Sequence, residues 1–588
     1  MPGSSGRPES NGKGSAPHRM TRREVARRWM LGVPAVVWWV TATFVTLLAA
    51  YSLVTPIYQA PDEPQHVDMA EAVSEDMSYP QWDARRIDEG VERGISLAGV
   101  ESRPTIMFYE EALPRDERPS NEELGERPLG TRLNQLAQHP PLYYAVLGVT
   151  DRIADVLIPG DPFHSYDQQA WFYRAVSLLM VAPLPLLTWI TARRMGVPRP
   201  VAIAATMLPL AVPQLLHIGA SVNNDNLFAL LMWCLTPVLV SVARGDLRMR
   251  TLSLAGLIVG LALFTKGTGL VLPAWVLLAS AVGWFKAGRP GLDTLLRPVA
   301  ACCGLVAALG GWWWVRNVLV FGEVAPSTEY ARFSDTNGRD TSVTRWLHAW
   351  AYVTNKRFWG QFGWLEVQIT PKVFVPATIV AIAGLVLAFR PRPFGVALSD
   401  RLVLLAGWPL IAALTAYNAY KLFEDSGQLP LLQGRYWFGA MVAFAVLIAL
   451  GLSLFSGRAP RWMPIAVVPV IAVVQVVAIG TIAGYYWGPP GTSVNDRVRT
   501  MIVWSPFPGD LLVAGFVVAV LVVAGTLVAL VRELQVPPEQ LFPPAGAEAT
   551  PGARPGAAAP GATGSVPATP SSEPAPAPPD SAPKKVAQ

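Results

Sequence analysis

Apolar runs about as long as a membrane-crossing helix recur along the chain and are separated by polar stretches. They lie near 34–55, 170–192, 199–218, 226–243, 252–266, 269–286, 299–320, 373–389, 402–420, 436–455, 463–486 and 510–531. An α-helix needs about 20 predominantly apolar residues to cross the hydrocarbon of a bilayer. The pattern therefore predicts an all-α integral membrane protein with about twelve transmembrane helices. Residues 31–532 form one polytopic domain in this reading. It carries a large first outside loop, 56–168, and a second large one, 321–372. Amphipathic helices lying at the membrane surface are expected over Asp62–Met77 and Asn134–Val149, and Trp346, Trp350, Trp359 and Trp364 mark a further headgroup-level helix.

Charge fixes the expected orientation. Arg22, Arg23, Arg27 and Arg28 precede the first run, and five alternate loops carry the remaining basic clusters: Arg193/Arg194/Arg199, Arg244/Arg248/Arg250, Lys286/Arg289/Arg297, Arg390/Arg392 and Arg458/Arg461. The positive-inside rule places that whole set in the cytoplasm together with both termini. The loops 56–168, 219–225, 266–269, 321–372, 421–435 and 487–509 then face outside. The first run is read as a retained signal anchor behind a basic cytoplasmic segment, 1–30. The Pro/Ala/Gly-rich segment 533–588 reads as a disordered cytoplasmic tail.

Composition agrees. The chain of 588 residues is 52% hydrophobic and 15% charged, with a mean hydropathy of +0.33. A soluble chain of this length needs more charge to cover its surface. A net charge of +5 without a basic, aromatic-interleaved stripe excludes nucleic acid as a partner. Cys234, Cys302 and Cys303 all sit inside apolar runs and read as buried spectators.

Candidate chemistry gathers at one end of the runs. Asp62, Glu63 and His66 follow the first run, and His139 and Tyr143 precede the second. Asn224 and Asp225 lie before the fourth run, Lys266 before the sixth, Arg316 at the end of the seventh, and Arg435 and Tyr436 at the start of the tenth. Charges at helix ends often serve only as anchors, and Asn223–Asn226 also makes a good helix N-cap. The pair Asp62-Glu63 is different, because Pro61 and Pro64 stiffen it and no basic residue nearby in sequence neutralises it. A carboxylate can accept a proton from a reacting hydroxyl, and Lys266, Arg316 and Arg435 can meet a phosphate at headgroup level. His66 and His139 with Asp62 or Asp225 are also candidates for holding a divalent cation, although spacing alone defines no such site.

The motifs Pro61-Asp62-Glu63-Pro64-Gln65-His66, His139-Pro140-Pro141-Leu142-Tyr143-Tyr144 and Gln433-Gly434-Arg435-Tyr436 resemble those of a bacterial family of predicted multi-pass membrane proteins without an assigned function. That family is similar to the GT-C superfamily of membrane glycosyltransferases. The resemblance implies a lipid-phosphate-linked (polyprenyl phosphate) sugar donor, a glycan or lipid acceptor, and transfer at the outer face of the cytoplasmic membrane. Asp62 matches the catalytic acid of the first outside loop, with Glu63 beside it, and Asp225 falls where a second acid helps hold acceptor or metal. Pro64 and His66 depart from the better-studied branches and leave the choice between Asp62 and Glu63 open. Two other classes compete. A flippase for lipid-linked sugars predicts charge in mid-span, and a non-catalytic envelope-assembly protein predicts a docking surface on the outside loops.

Overall fold

The computed structural model describes residues 32–99, 105–125, 129–158, 165–327, 340–391, 393–456 and 460–537. All of them fall within one compact unit, Met1–Phe542. The basic segment 1–30 and all but the first residues of the tail 533–588 lie outside the described residues.

The protein is an all-α integral membrane protein. Among the described residues, ten helices are long and apolar enough to cross a membrane, or eleven if the pair Arg199–Ala211 and Pro213–Gly219, bent by 70°, is one span. The shorter apolar helix Met249–Leu263 corresponds to the remaining run of the hydropathy pattern. Each of the twelve runs thus has its helix. The bend has a local cause: Pro209 and Pro213 flank Val212, and a proline supplies no N–H to carry the ladder through.

Two helices form the centre. In the apolar windows of Asp225–Ala243 and Gly434–Phe455, 83% and 78% of residues are buried, against 6% in the last span, Gly509–Leu534. The last span therefore presents its apolar surface outward, as a lipid-facing helix does. Both central helices begin at residues the sequence singles out, Asp225 and the Gly434-Arg435 pair.

Interloop contacts show which helix ends share a side. Trp487 Nε1 donates to Val54 O at 2.8 Å, Trp364 Nε1 to Tyr58 O at 3.0 Å, and the Gln361 N–H to Gln214 Oε1 at 2.8 Å. At the opposite end, Arg199 pairs with Glu533 at 2.6 Å, and Asp400 receives Lys286 and, at 3.9 Å, Arg244. A cavity of about 340 Å³ opens there, lined in part by Arg244, Lys286 and Asp400. The basic loops and the acid-bearing loops thus separate to opposite ends of the bundle.

The first large loop is built on helix Glu63–Asp76 against helix Leu142–Leu157, with a short antiparallel pair, Arg86–Asp88 and Leu129–Leu133, beside them. The first of these helices matches the expected Asp62–Met77. The second is displaced from Asn134–Val149: a 3₁₀ turn, Gln135–Gln138, ends at His139, and helix begins only after Pro140-Pro141. The second proline cannot be preceded by a residue in helical geometry without a clash, which resets the start. The tryptophan-rich loop does form a helix, Val343–Trp359. Of the cysteines, Cys302 is buried, Cys234 is half-buried and Cys303 is exposed on its helix, which corrects the expectation for Cys303.

Small residues set helix spacing in the bundle. A Cβ built at Gly451 would stand 1.9 Å from the carbonyl oxygen of Gly384 and 2.7 Å from the Ala388 nitrogen. Backbone cannot yield as a side chain does, so Gly451→Ala is expected to push the two helices apart at a cost of about 1–3 kcal/mol or more. Thermal unfolding of the detergent-purified protein should show a clearly lowered midpoint, and an unchanged midpoint would contradict this packing.

Candidate functional site

The site starts where the first span, Ala35–Val54, ends at Thr55-Pro56. Two non-glycine residues of the connecting loop adopt left-handed backbone, Tyr58 at φ +64° and Asp62 at φ +62°. Such residues persist where surrounding contacts over-determine them, and the contacts here converge on Glu63. Its Oε1 accepts from Arg174 Nε at 2.7 Å and from the Val222 N–H at 3.1 Å; its Oε2 accepts from Arg174 Nη2 at 2.6 Å and from the Tyr58 N–H at 3.0 Å. Arg174 uses its remaining donors on the carbonyls of Ser52, Thr55 and Pro56 at 2.7–2.9 Å. Glu63 and Arg174 are 0% and 1% exposed. A carboxylate so enclosed, with four hydrogen bonds from Arg174, Val222 and Tyr58, ties the loop to the second span and the Val222 turn.

Asp62 behaves differently. It is the N-cap of helix Glu63–Asp76, and its carbonyl accepts the His66 N–H at 3.1 Å, but its side chain makes no capping bond. An N-cap side chain ordinarily turns back from a β-region backbone; the left-handed backbone of Asp62 sends the carboxylate elsewhere. Oδ2 accepts from Arg435 Nη2 at 2.7 Å. Arg435 Nε lies 3.5 Å from Asp225 Oδ2, and Asp225 Oδ1 holds Lys266 Nζ at 2.5 Å. The order Asp62–Arg435–Asp225–Lys266 alternates in sign and sums to zero, which suits a site with little water.

Gly434 permits this placement, since a Cβ there would stand 2.2 Å from the Phe358 nitrogen at the end of helix Val343–Trp359. The same helix contributes Arg357, whose Nη1 donates to Leu432 O at 2.8 Å just before the Arg435 turn.

The structure also places the other sequence candidates. Asn224 Oδ1 accepts from Lys266 Nζ at 3.3 Å, and the Tyr436 ring lies 5.1 Å from that ammonium. His66 and His139 border the four charges. Burial lowers both imidazoles, and Lys266 helps lower His139 to about 3. Both are therefore neutral at neutral pH. His66 Nδ1 lies 3.0 Å from the Tyr144 hydroxyl, and the His139 carbonyl accepts from the Tyr79 hydroxyl at 2.7 Å. Tyr143 lies edge-on to His66 and turns its hydroxyl to Ser177 at 2.7 Å. Arg316 is the exception: its contacts are Asn317 at 3.2 Å and the Trp313 and Phe321 rings at 4.9 and 5.2 Å, and it does not join the charge cluster.

A divalent cation does not fit this donor set. Each carboxylate already faces a cationic side chain, and among the described residues no three His, Cys, Asp or Glu side chains are grouped to hold a metal ion.

Arg174 is the residue that reading by loops misses, because it lies inside a span. An arginine within an apolar run is itself a signal that an acidic partner faces it. Removing one partner of a buried ion pair leaves the other uncompensated, at a cost of about 3–5 kcal/mol. Glu63→Gln and Arg174→Met should each strongly lower the unfolding midpoint of the purified protein. The double variant should be much less destabilised than the two effects summed, and strict additivity would show that the pair is not coupled.

The model of a family described as "Predicted membrane protein (DUF2142)" matches residues 44–443. No curated protein sequence matches the chain. Among solved structures, ArnT from Cupriavidus metallidurans bound to undecaprenyl phosphate aligns with a TM-score of 0.42 at 13% identity, over 82% of this chain and 78% of that one. The Archaeoglobus fulgidus oligosaccharyltransferase in complex with Zn and sulfate aligns with a TM-score of 0.39 at 13% identity, over 77% and 54%. Archaeal oligosaccharyltransferase AglB from the same organism, in complex with an inhibitory peptide and a dolichol-phosphate, aligns with a TM-score of 0.37 at 11% identity, over 80% and 60%. This chain thus spans little more than half the length of the archaeal proteins. Scores of this size transfer neither residue roles nor activity. The family match is of another kind: it runs over well over half of the chain and includes Asp62, Glu63, Asp225, Lys266 and Arg435, so the chain belongs to the DUF2142 family of predicted membrane proteins.

Proposed function

We propose that this protein is a glycosyltransferase that moves a sugar from a polyprenyl-phosphate carrier to a glycan or lipid acceptor at the outer face of the cytoplasmic membrane. The observation that carries the reading is Asp62, a carboxylate relieved of capping and held by a nearly buried arginine whose Nη1 has no hydrogen-bond partner and whose Nε only faces Asp225 Oδ2 at 3.5 Å. Buried, unpartnered guanidinium N–H groups are costly unless an anion completes them. The motif resemblance to GT-C enzymes points the same way.

In this reaction the acceptor hydroxyl oxygen attacks the anomeric carbon while the bond from that carbon to the phosphate oxygen breaks. The bonding pair leaves on the phosphate, and the hydroxyl proton passes to Asp62. Arg435 and Lys266 stabilise the charge that grows on the leaving phosphate. Asp225 holds those two cations apart and oriented. Asn224 and Tyr436 fix the Lys266 ammonium, and the neutral His66 and His139 offer sugar hydroxyls uncharged partners. Glu63 keeps the loop in place. Outward orientation of the site rests on the basic loops at the other end of the bundle.

The test is substitution at Asp62. Asn tolerates left-handed backbone, so Asp62→Asn removes the charge without straining the loop. Loss of a general base lowers rate by about 10²–10⁴-fold. Cells carrying only Asp62→Asn, expressed at the wild-type level, should show the envelope-glycan defect of a deletion strain. Normal envelope glycan in those cells would defeat Asp62 as the base, and normal envelope glycan in the deletion strain would defeat the proposal.

A further inference from the structure

Arg435 is 10% exposed, and of its nitrogens only Nη2 has a hydrogen-bond partner, Asp62 Oδ2 at 2.7 Å. A guanidinium presents two two-pronged edges, Nε–Nη2 and Nη1–Nη2, and binds phosphate or carboxylate best through a whole edge. Nε faces Asp225 Oδ2 at 3.5 Å, so the edge open to a phosphate is Nη1–Nη2. Nη2 carries two N–H groups, one on each edge, and Asp62 takes one of them through a single oxygen, so a phosphate on the open edge is seated beside the Asp62 carboxylate. Two anions that close at a largely buried guanidinium repel strongly.

Asp62 is the one placed to yield. Its side chain is 26% exposed, against 7% for Asp225, and it has no capping bond to break. Asp225 is held by Lys266 as well as by its own position in the most buried helix.

We infer that the donor phosphate and Asp62 compete for Arg435, so that donor binding releases the Asp62 carboxylate to receive the acceptor's proton. The base is masked in the empty site and exposed once the leaving group is seated. Productive binding is then ordered, donor before acceptor. This rests on the glycosyl-transfer reading and adds to it how the site is regulated.

The experiment titrates undecaprenyl phosphate into the purified full-length protein and into Asp62→Asn, Asp62→Gly and Arg435→Gln, with calorimetric readout and thermal unfolding as the folding control. Glycine, like asparagine, accepts φ near +62°, so two chemically different variants report the same loss of competing charge. Both Asp62 variants are expected to bind about tenfold more tightly than wild type, a coupling of ordinary size, and Arg435→Gln to lose binding. Unchanged, weaker or undetectable binding in the folded Asp62 variants overturns the competition. The two ideas fail separately: absence of transfer by the wild-type protein defeats the glycosyltransferase reading and transfer that survives in Asp62→Asn defeats Asp62 as its base, whatever the affinities, while lost transfer in Asp62→Asn without tighter binding defeats only the competition.

Discussion

The buried ion pair between Glu63 and Arg174 is the constraint from which the site follows. It ties together the end of the first span, the loop that carries Tyr58 and Asp62, the second span and the turn at Val222. Desolvating two charges is expensive, and the attraction between them repays that cost only when geometry is good and the remaining donors and acceptors are satisfied. Here every donor nitrogen of Arg174 and both oxygens of Glu63 are engaged. The pair thereby holds Asp62 in a backbone conformation that few residues adopt and directs its side chain away from the helix it caps.

Neighbouring carboxylates consequently have opposite fates. Glu63 is enclosed by Arg174, Val222 and Tyr58, while Asp62, one residue earlier, faces Arg435 at the start of a central helix. The two most buried spans deliver Asp225 and Arg435, and the end of a short apolar helix delivers Lys266. Alternating signs keep the cluster neutral in a place where unpaired charge would not be tolerated. The cost of that neutrality is an arginine whose hydrogen-bonding capacity is only partly used.

Much of this architecture was legible in the sequence, because span length and basic-loop alternation depend on local composition. Each of the twelve apolar runs has a helix, and the loops grouped by charge do meet at common ends. Prolines bracket Asp62-Glu63, and in that loop Tyr58 and Asp62 adopt left-handed backbone. The pairings were not legible. Glu63 meets Arg174 across 111 positions and Asp62 meets Arg435 across 373, and no local pattern encodes such partners. Arg316 looked equivalent to Arg435 as a basic residue at a span end, but its neighbours proved to be Trp313 and Phe321. The shift of the second loop helix had a visible cause in Pro140-Pro141 that outweighed its apolar periodicity.

The most direct test of the central claim is a structure of the protein in lipid nanodiscs with undecaprenyl phosphate. The account predicts the phosphate within hydrogen-bond distance of Arg435 and Lys266, with Asp62 withdrawn from Arg435 Nη2. A phosphate seated elsewhere, such as the cavity beside Arg244 and Lys286 at the opposite end of the bundle, with the Asp62–Arg435 pair intact, would contradict it.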